Sequence, residues 1–201
     1  MIKNVIFDIG DVLVDFRWPD MLRDYNVPEE DIYLIAKRWL STPIWDELDL
    51  GLVPEAEAIE HARAALGDKA HYVDLFMAHL DELIIPKDYA VPLMKEIKSR
   101  GFGVYLLSNY PDRMFNVHAK QFGFLGIEDG SVISYRVGAI KPDPRIYQTL
   151  LDDYALEPGE CIFFDDREKN VLGARAVGIR AEAFTGEEQV RKTLRELGIL
   201  E

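Results

Sequence analysis

The stretch VIFDIGDVLVDF, residues 5–16, decides the fold. It begins as an apolar, β-prone run and then reaches Asp8, which is followed after one residue by Gly10 and Asp11. A carboxylate at the end of a buried strand is costly to ionise unless a metal, a set of hydrogen-bond donors or a substrate compensates the charge. The stretch therefore predicts a buried strand with a ligand site at its carboxyl end.

Further strand-like and helical patterns follow along the chain. The strand-like runs are residues 103–109, 131–135, 160–166 and, more weakly, 179–184. Helical spacing of apolar residues marks residues 90–101, 144–156, 168–178 and the C-terminal stretch 186–201. Alternation of strands and helices predicts an α/β fold, a Rossmann-like parallel sheet with helices on both faces.

One interval, residues 17–87, interrupts this alternation. It has amphipathic helical segments, such as residues 29–40 and 54–66, and no strand pattern. We therefore predict two domains: residues 1–16 plus 88–201 form the α/β core, and residues 17–87 form a small all-α cap. The cap is expected over the carboxyl end of the sheet, where open α/β folds bind ligands. Large aromatic residues in this interval are expected to form the cap's own core, namely Trp39, Trp45 and Phe76.

The composition and net charge of the chain limit the classes of molecule that it can bind. The chain has 201 residues, 48% of them apolar, and a net charge of −13, which disfavours nucleic acid and anionic membrane surfaces as partners. A phosphorylated ligand would therefore have to be met by a metal ion and a few placed cations. No sequence feature predicts an oligomeric state.

Compartment and side-chain chemistry follow from a few residues. The single cysteine, Cys161, lies in an apolar run and is expected to be a buried thiol, as in a reducing compartment. The first apolar run is short and broken by Asp8, so neither a secretory leader nor a membrane span is expected, and we predict a cytoplasmic protein. The histidines show no metal-ligand spacing and are expected on helix surfaces: His61, His71, His79 and His118.

Polar residues end three of the strand-like runs. The carboxyl ends of parallel strands meet at one edge of a sheet, so these polar residues should lie close together at that edge. They are Asp8, Ser108, Asn109, Asp165 and Asp166, and Lys141 can reach the same place. Oxygen ligands of this kind suit Mg²⁺, and a lysine and a hydroxyl can bind phosphoryl oxygens. The set predicts chemistry on a phosphate group.

Four ordered motifs resemble those of the haloacid dehalogenase-like (HAD) hydrolase superfamily. They are FDIGDVL (residues 7–13), LLSN (106–109), KPDPRIY (141–147) and FFDDREKNVLGA (163–174). The resemblance is strongest to small phosphatases with a helical cap, including those that act on sugar phosphates such as glucose 1-phosphate. It implies Mg²⁺-dependent hydrolysis of a small phosphorylated metabolite through an aspartyl-phosphate intermediate.

The resemblance also implies roles for the matching residues. Asp8 would be the nucleophile and a metal ligand, and the backbone carbonyl of Gly10 and the carboxylate of Asp166 would complete the metal site. Ser108 and Lys141 would bind the phosphoryl group and take part in catalysis, and Asn109 would support that loop at the substrate. Asp165 is expected behind the metal ligands, and Asn170 stands where many relatives have another acidic residue.

One position departs from the family pattern. Most phosphatases of this family have a second aspartate two residues after the nucleophile, which protonates the leaving group and then activates water, but this chain has Gly10 there. Asp11 is one residue too late to face the same way. Asp11, Asp15, a cap residue or water remain candidates for the missing acid.

Three other functions are alternatives to hydrolysis of a phosphate ester. A phospho-ligand binding protein could keep this fold without turnover, because fold does not imply activity. A 2-haloacid dehalogenase would use the same nucleophile without a metal, but the carboxylates gathered near Asp8 would then repel each other without compensation. Phosphoryl transfer within one sugar, as in the capped phosphomutases, is disfavoured by Gly10.

Overall fold

The centre of the molecule is a five-stranded parallel sheet. The computed structural model describes all residues 1–201. The strands of the sheet are β1 (Asn4–Phe7), β4 (Gly103–Ser108), β5 (Gly130–Ile133), β6 (Cys161–Asp165) and β7 (Arg180–Ala183). Their order across the sheet is β5-β4-β1-β6-β7. This confirms the predicted α/β fold with a Rossmann-like parallel sheet.

The central strand β1 shows why the sheet is covered on both faces. Val5 and Phe7 belong to one buried apolar cluster and Ile6 belongs to a second, and each of the three is at most 1% exposed. Successive side chains of a strand point to opposite faces, so a continuous apolar run requires a packed layer on each side. The predicted buried thiol of Cys161 lies in the second cluster.

The helices that cover the sheet follow the predicted segments. In the part of the chain after residue 87 they are α6 (Ala90–Ser99), α7 (Asp112–His118), α8 (Ser134–Val137), α9 (Pro144–Asp153), α10 (Glu168–Ala176) and α11 (Glu187–Glu196), with a 3₁₀ turn at Pro158–Glu160. The predicted strand over residues 131–135 is too long at its end, because Ser134 already begins α8.

Residues 17–87 are mostly helical. They form α1 (Trp18–Asp24), α2 (Glu29–Ile35) continued by a π-helical turn (Ala36–Leu40), α3 (Pro43–Leu50), α4 (Glu55–Leu66) and α5 (His71–Ala78), with 3₁₀ turns at Gly67–Lys69 and Leu80–Glu82. Trp39 and Phe76 are fully buried here and stack edge to face with their ring centroids 5.1 Å apart. We refer to residues 17–87 as the cap segment; its assignment as a separate domain stays a prediction.

A short two-stranded ribbon joins the ends of the cap segment. Strand β2 (Val14–Phe16) pairs antiparallel with β3 (Ile84–Pro86). The expectation that residues 17–87 contain no strand is therefore wrong at Ile84–Pro86. Three residues that end in proline are too few to show an alternation of apolar and polar residues. They form a strand only because they pair with β2.

One histidine is placed differently from the expectation. His118 is fully buried at the end of α7, where its Nε2 lies 2.5 Å from the Leu80 carbonyl and its Nδ1 lies 2.5 Å from the Tyr110 hydroxyl. Because a carbonyl only accepts, Nε2 donates to Leu80, and Nδ1 of the neutral ring accepts from Tyr110. The surface prediction is wrong for His118. None of the helices combines the length and apolar character needed to cross a lipid bilayer.

Candidate active site

The ends of β1, β4 and β6 bring the predicted residues together. In the register of the sheet, Phe7 of β1 lies opposite Leu106 of β4 and Phe164 of β6. The next residues at this edge are Asp8, Leu107 with Ser108 behind it, and Asp165. The Asp8 backbone N–H donates to the Phe164 carbonyl at 3.0 Å. The hydrogen bonding of the sheet therefore fixes the backbone position of Asp8.

The Asp8 carboxylate is buried and held by three donors. Its Oδ1 accepts hydrogen bonds from the Ile9 backbone N–H and the Ser108 hydroxyl, both at 2.7 Å, and its Oδ2 lies 2.9 Å from the Lys141 ammonium. Burial raises the pKa of Asp8 and nearby carboxylates raise it further, while Lys141 opposes the shift. Three donors orient this oxygen pair but do not fully offset the cost of its burial.

Lys141 links two carboxylates from different strands. Its side chain is 1% exposed, and its ammonium lies 2.9 Å from Asp8, 2.7 Å from Asp165 and 2.9 Å from the Leu107 carbonyl. Burial alone lowers the pKa of this lysine, but the two carboxylates outweigh burial and raise the pKa above its ordinary value. Lys141 is therefore a charged, oriented cation in the interior.

Asn109 fixes the backbone of that lysine. Its side-chain oxygen accepts from the Lys141 N–H at 2.8 Å, and its amide N–H donates to the Lys141 carbonyl at 3.1 Å. The loop after β4 and the loop before α9 are thus joined directly. The same amide lies at the wall of the cleft, so the predicted substrate contact of Asn109 stays a prediction beside this positioning role.

The fourth motif supplies Asp165 and Asp166. Asp165 is fully buried and accepts from the Arg167 N–H at 2.8 Å and from the Asn170 amide at 2.9 Å, in addition to its pair with Lys141. Asp166 is half-buried, with the Arg167 guanidinium 4.0 Å away. Burial and Asp165 raise the pKa of Asp166, against the effect of Arg167.

Three carboxylates at this point fit a hard divalent cation. Ligand oxygens of Asp8, Asp165 and Asp166 all lie within 4.8 Å of one another. Lys141 offsets only part of their charge, because burial first and the neighbouring carboxylates second raise the pKa of both Asp8 and Asp166. Mg²⁺ prefers this kind of all-oxygen donor set. The Asn170 side-chain oxygen, buried at the wall of the same cleft, has no hydrogen-bond partner and adds one more oxygen that a bound ion or its water could satisfy.

A cleft of about 440 Å³ opens above these residues. One wall comes from the strand ends, with Asp8, Gly10, Ser108, Asn109, Lys141 and Asp166. The other wall comes from the cap segment, with Leu40, Ser41, Thr42, Pro43, Trp45, Asp46 and Asp49. Trp45 therefore faces the cleft as well as packing against Trp39. All six predicted site residues border one cavity.

The sequence comparison assigns the chain to a known family. Residues 2–178 match the family described as hydrolase: haloacid dehalogenase-like hydrolase. A phosphatase of Mycobacterium tuberculosis is 30% identical over 199 residues, which cover 94% of this chain and 90% of that protein. The chain belongs to the haloacid dehalogenase-like hydrolase family.

A further sequence relative and a solved structure resemble this HAD-like hydrolase. A D-ribitol-5-phosphate phosphatase of Bacteroides thetaiotaomicron is 28% identical, with 93% of each chain covered. A crystal structure of a HAD-family enzyme from the same organism, in complex with magnesium and inorganic phosphate, superposes with a TM-score of 0.72 at 22% identity, covering 93% of this chain and 96% of that one. At that identity the structural likeness supports the fold.

The two aspartates considered as substitutes for the missing acid have other partners in this HAD-like hydrolase. Asp11 lies in the left-handed region at φ 55°, and its Oδ1 accepts from the Phe16 N–H at 3.0 Å, which holds the turn into β2. Asp15 pairs with Lys87 across the β2–β3 ribbon and does not border the cleft. Asp11 borders the cleft at an exposed position, and Asp15 lies outside it.

Two residues that border the cleft, Asp49 and Tyr110, were not predicted from the sequence, and neither was Ser134, which joins them. The Ser134 hydroxyl accepts from the Tyr110 N–H at 2.9 Å and donates to the Asp49 carbonyl at 2.6 Å. This buried contact joins α3 of the cap segment to the loop after β4. The only signal in the sequence was the spacing of Asp46 and Asp49, which places two carboxylates on one side of a helix.

Proposed function

We propose that this chain is a phosphatase that hydrolyses a small phosphorylated metabolite, with sugar phosphates among the candidates. The observation that carries this proposal is the joint burial of Asp8, Lys141 and Asp165 beside Asp166 at the floor of a cleft of about 440 Å³. A cleft of this size accommodates a small metabolite. The names of the relatives from Mycobacterium tuberculosis and Bacteroides thetaiotaomicron support the same reaction class.

In this proposal the Asp8 carboxylate attacks phosphorus. Its Oδ1 is oriented by Ser108 and the Ile9 N–H, and its Oδ2 lies 2.9 Å from the Lys141 ammonium. Attack forms an aspartyl-phosphate, and water then cleaves it to release inorganic phosphate. Lys141 and the Ser108 hydroxyl stabilise the phosphoryl oxygens as their charge develops.

Asp8, the Gly10 carbonyl and Asp166 would hold Mg²⁺ in this site. When bound, the ion neutralises phosphoryl charge and offsets the repulsion among the carboxylates. Asp165 keeps Lys141 in place from the side away from the cleft, since its oxygens are used by Lys141, Arg167 and Asn170. The chain's own residues thus supply the nucleophile and the orientation.

A panel of phosphorylated metabolites tests the proposal. The purified protein is assayed for phosphate release with Mg²⁺, beside Asp8→Asn and the control Asp15→Asn, whose side chain pairs with Lys87 outside the cleft. We expect turnover by the wild type and by Asp15→Asn, and loss in Asp8→Asn and on chelation with EDTA. No phosphate release from any compound would favour a binding protein. Halide release from 2-haloacids that survives EDTA would favour a dehalogenase.

A further inference from the structure

The reaction proposed above needs a proton donor for the leaving group. Gly10 stands at the position of the usual donor and has no side chain that could supply the proton. In an in-line displacement at phosphorus, the leaving oxygen departs on the side opposite the attacking carboxylate. Asp8 projects from the edge of the sheet, so the leaving group lies toward the far wall of the cleft. That wall is formed by the cap segment at α3 and the turn before it.

Asp49, in the last turn of α3, is the buried acid on that wall. It borders the same cleft as Asp8 and is 6% exposed. Its Oδ1 has no hydrogen-bond partner in the protein, which is unusual for a buried carboxyl oxygen. Asp46, one turn earlier, borders the cleft at a more exposed position. Asp49 therefore combines a place at the border of the cleft with a carboxyl oxygen that the protein leaves without a partner.

Buried contacts to the core fix the backbone of Asp49. Its carbonyl accepts from the Ser134 hydroxyl at 2.6 Å, and Ser134 also holds the Tyr110 N–H of the loop after β4. Two residues later, Gly51 ends α3 at φ 63°, where a Cβ would lie 2.9 Å from the Tyr135 carbonyl. Only glycine fits both the left-handed conformation and the close approach. The fold thus fixes the backbone position from which the Asp49 side chain reaches the border of the cleft.

The surroundings keep this carboxyl group protonated near neutral pH. Burial is the largest cause, and it raises the pKa of Asp49 to about 8 together with Asp46 on the same helix. From the core, Asp8 raises the pKa of Asp49 further, while Arg167 and Lys141 lower it. A neutral carboxyl group at the border of the cleft has a proton to donate.

We propose that Asp49 is the acid that protonates the leaving group, in place of the aspartate that Gly10 lacks; the inference rests on the proposed phosphatase function. As the bond between Asp8 and phosphorus forms, the bond from phosphorus to the ester oxygen breaks, and the Asp49 proton moves to that oxygen to give the free alcohol. In the second step the Asp49 carboxylate takes a proton from the attacking water. The bond between Asp8 and phosphorus breaks, inorganic phosphate leaves, and Asp49 is again protonated.

Two esters that differ mainly in their leaving groups test this role. p-Nitrophenyl phosphate releases a phenolate that needs no proton, and p-nitrobenzyl phosphate releases an alcohol that does. We expect Asp49→Asn to lower kcat/KM for the benzyl ester by about 10²- to 10⁴-fold and for the phenyl ester by only a few fold. Glu47→Gln is the matched control, because Glu47 lies on the same helix and pairs with His61 away from the cleft. It should match the wild type on both esters.

A second variant tests the placement of the acid. A Cβ at Gly10 would meet no atom within 4 Å, so the backbone there has room for the side chain of Gly10→Asp to begin. In the Asp49→Asn background it should recover hydrolysis of the benzyl ester at least about tenfold. Thermal unfolding of each variant confirms that it is folded.

Each remaining outcome decides between the two proposals. Equal losses on both esters in folded Asp49→Asn, or no loss on either, would overturn the role of Asp49 and leave the phosphatase proposal standing. A wild type that hydrolyses the phenyl ester alone would also contradict a built-in proton donor. A wild type that releases phosphate from neither ester nor any metabolite of the panel with Mg²⁺ would contradict the phosphatase function and the role of Asp49 with it.

Discussion

The Lys141 ammonium lies 2.9 Å from the Asp8 carboxylate, and 1% of the Lys141 side chain is exposed to solvent. The same ammonium lies 2.7 Å from Asp165, which is fully buried. Two acidic side chains from neighbouring strands therefore share one interior cation. Breaking a buried ion pair by removing one partner leaves an uncompensated charge, which is more costly than losing a surface pair.

Lys141→Met should reduce both stability and activity. We expect the free energy of unfolding at neutral pH, without Mg²⁺, to fall by about 3–5 kcal/mol, because Asp8 and Asp165 lose their shared cation. Phosphate release should fall at least about 10²-fold. Lys3→Met is the control: its pair with Glu160 is exposed, so the change should be about 0–1 kcal/mol. Denaturant unfolding of the two variants measures the difference, and equal effects would contradict the shared-cation account.

A side chain at Gly173 in α10 is expected to lower the stability of the protein. A Cβ there would lie 2.9 Å from the Pro142 side chain and 3.0 Å from both the Pro142 carbonyl and the Tyr147 hydroxyl. Gly173→Ala should therefore lower the free energy of unfolding by about 1–3 kcal/mol and shift the loop that carries Lys141. Gly159→Ala, which meets no atom within 4 Å, is the control. Equal melting temperatures for the two variants would contradict this packing.

His118 should make stability depend on pH. Burial lowers the pKa of His118, although the Leu80 carbonyl and Asp81 oppose the shift. The unfolded chain takes up a proton near pH 6.5 that the folded chain resists, so stability is present above that pH and is lost as the pH falls. His118→Gln should therefore flatten the fall in Tm between about pH 7.5 and 5.5, and the exposed His71→Gln should not. The same slope in all three proteins would refute the assignment.

Asp49 should make stability fall as the pH rises, which is the opposite of the pH dependence expected from His118. Its folded pKa is raised to about 8 from an ordinary value of 3.8, so the unfolded chain releases this proton first as the pH rises. The contribution of Asp49 to the free energy of unfolding is therefore greatest at low pH, and it decreases progressively as the pH rises to about 8. Relative to the wild type without Mg²⁺, Asp49→Asn should gain in Tm as the pH rises from about 4 to 8. A constant difference in Tm across that range would show that Asp49 ionises normally.

The sequence predicted the sheet and the residues at its edge because both depend on local patterns. Apolar runs that end in polar residues are visible at Asp8, Ser108 and Asp165, and the rule that parallel strands end together brings them to one edge. The ribbon strand Ile84–Pro86 was not predictable, since its three residues become a strand only by pairing with β2.

Long-range packing decided the features that the sequence did not reveal. The burial of His118 depends on which face of α7 meets the Leu80 turn, and a seven-residue helix gives a weak pattern. The position of Asp49 depends on the Ser134 hydroxyl, 85 residues further along the chain. Neither contact has a signal in the local sequence.

The central claim is that Asp8 and Asp166 hold one divalent cation between them, and calorimetric titration with Mg²⁺ tests it most directly. The carboxylate oxygens of these residues and Asp165 lie within 4.8 Å of one another, so we expect one Mg²⁺ per chain in the wild type. Asp166→Asn should lose binding at least about tenfold, and Asp15→Asn, outside the cleft, should bind as the wild type does. A wild type that binds no Mg²⁺, or an Asp166→Asn variant that binds it unchanged, would contradict the account.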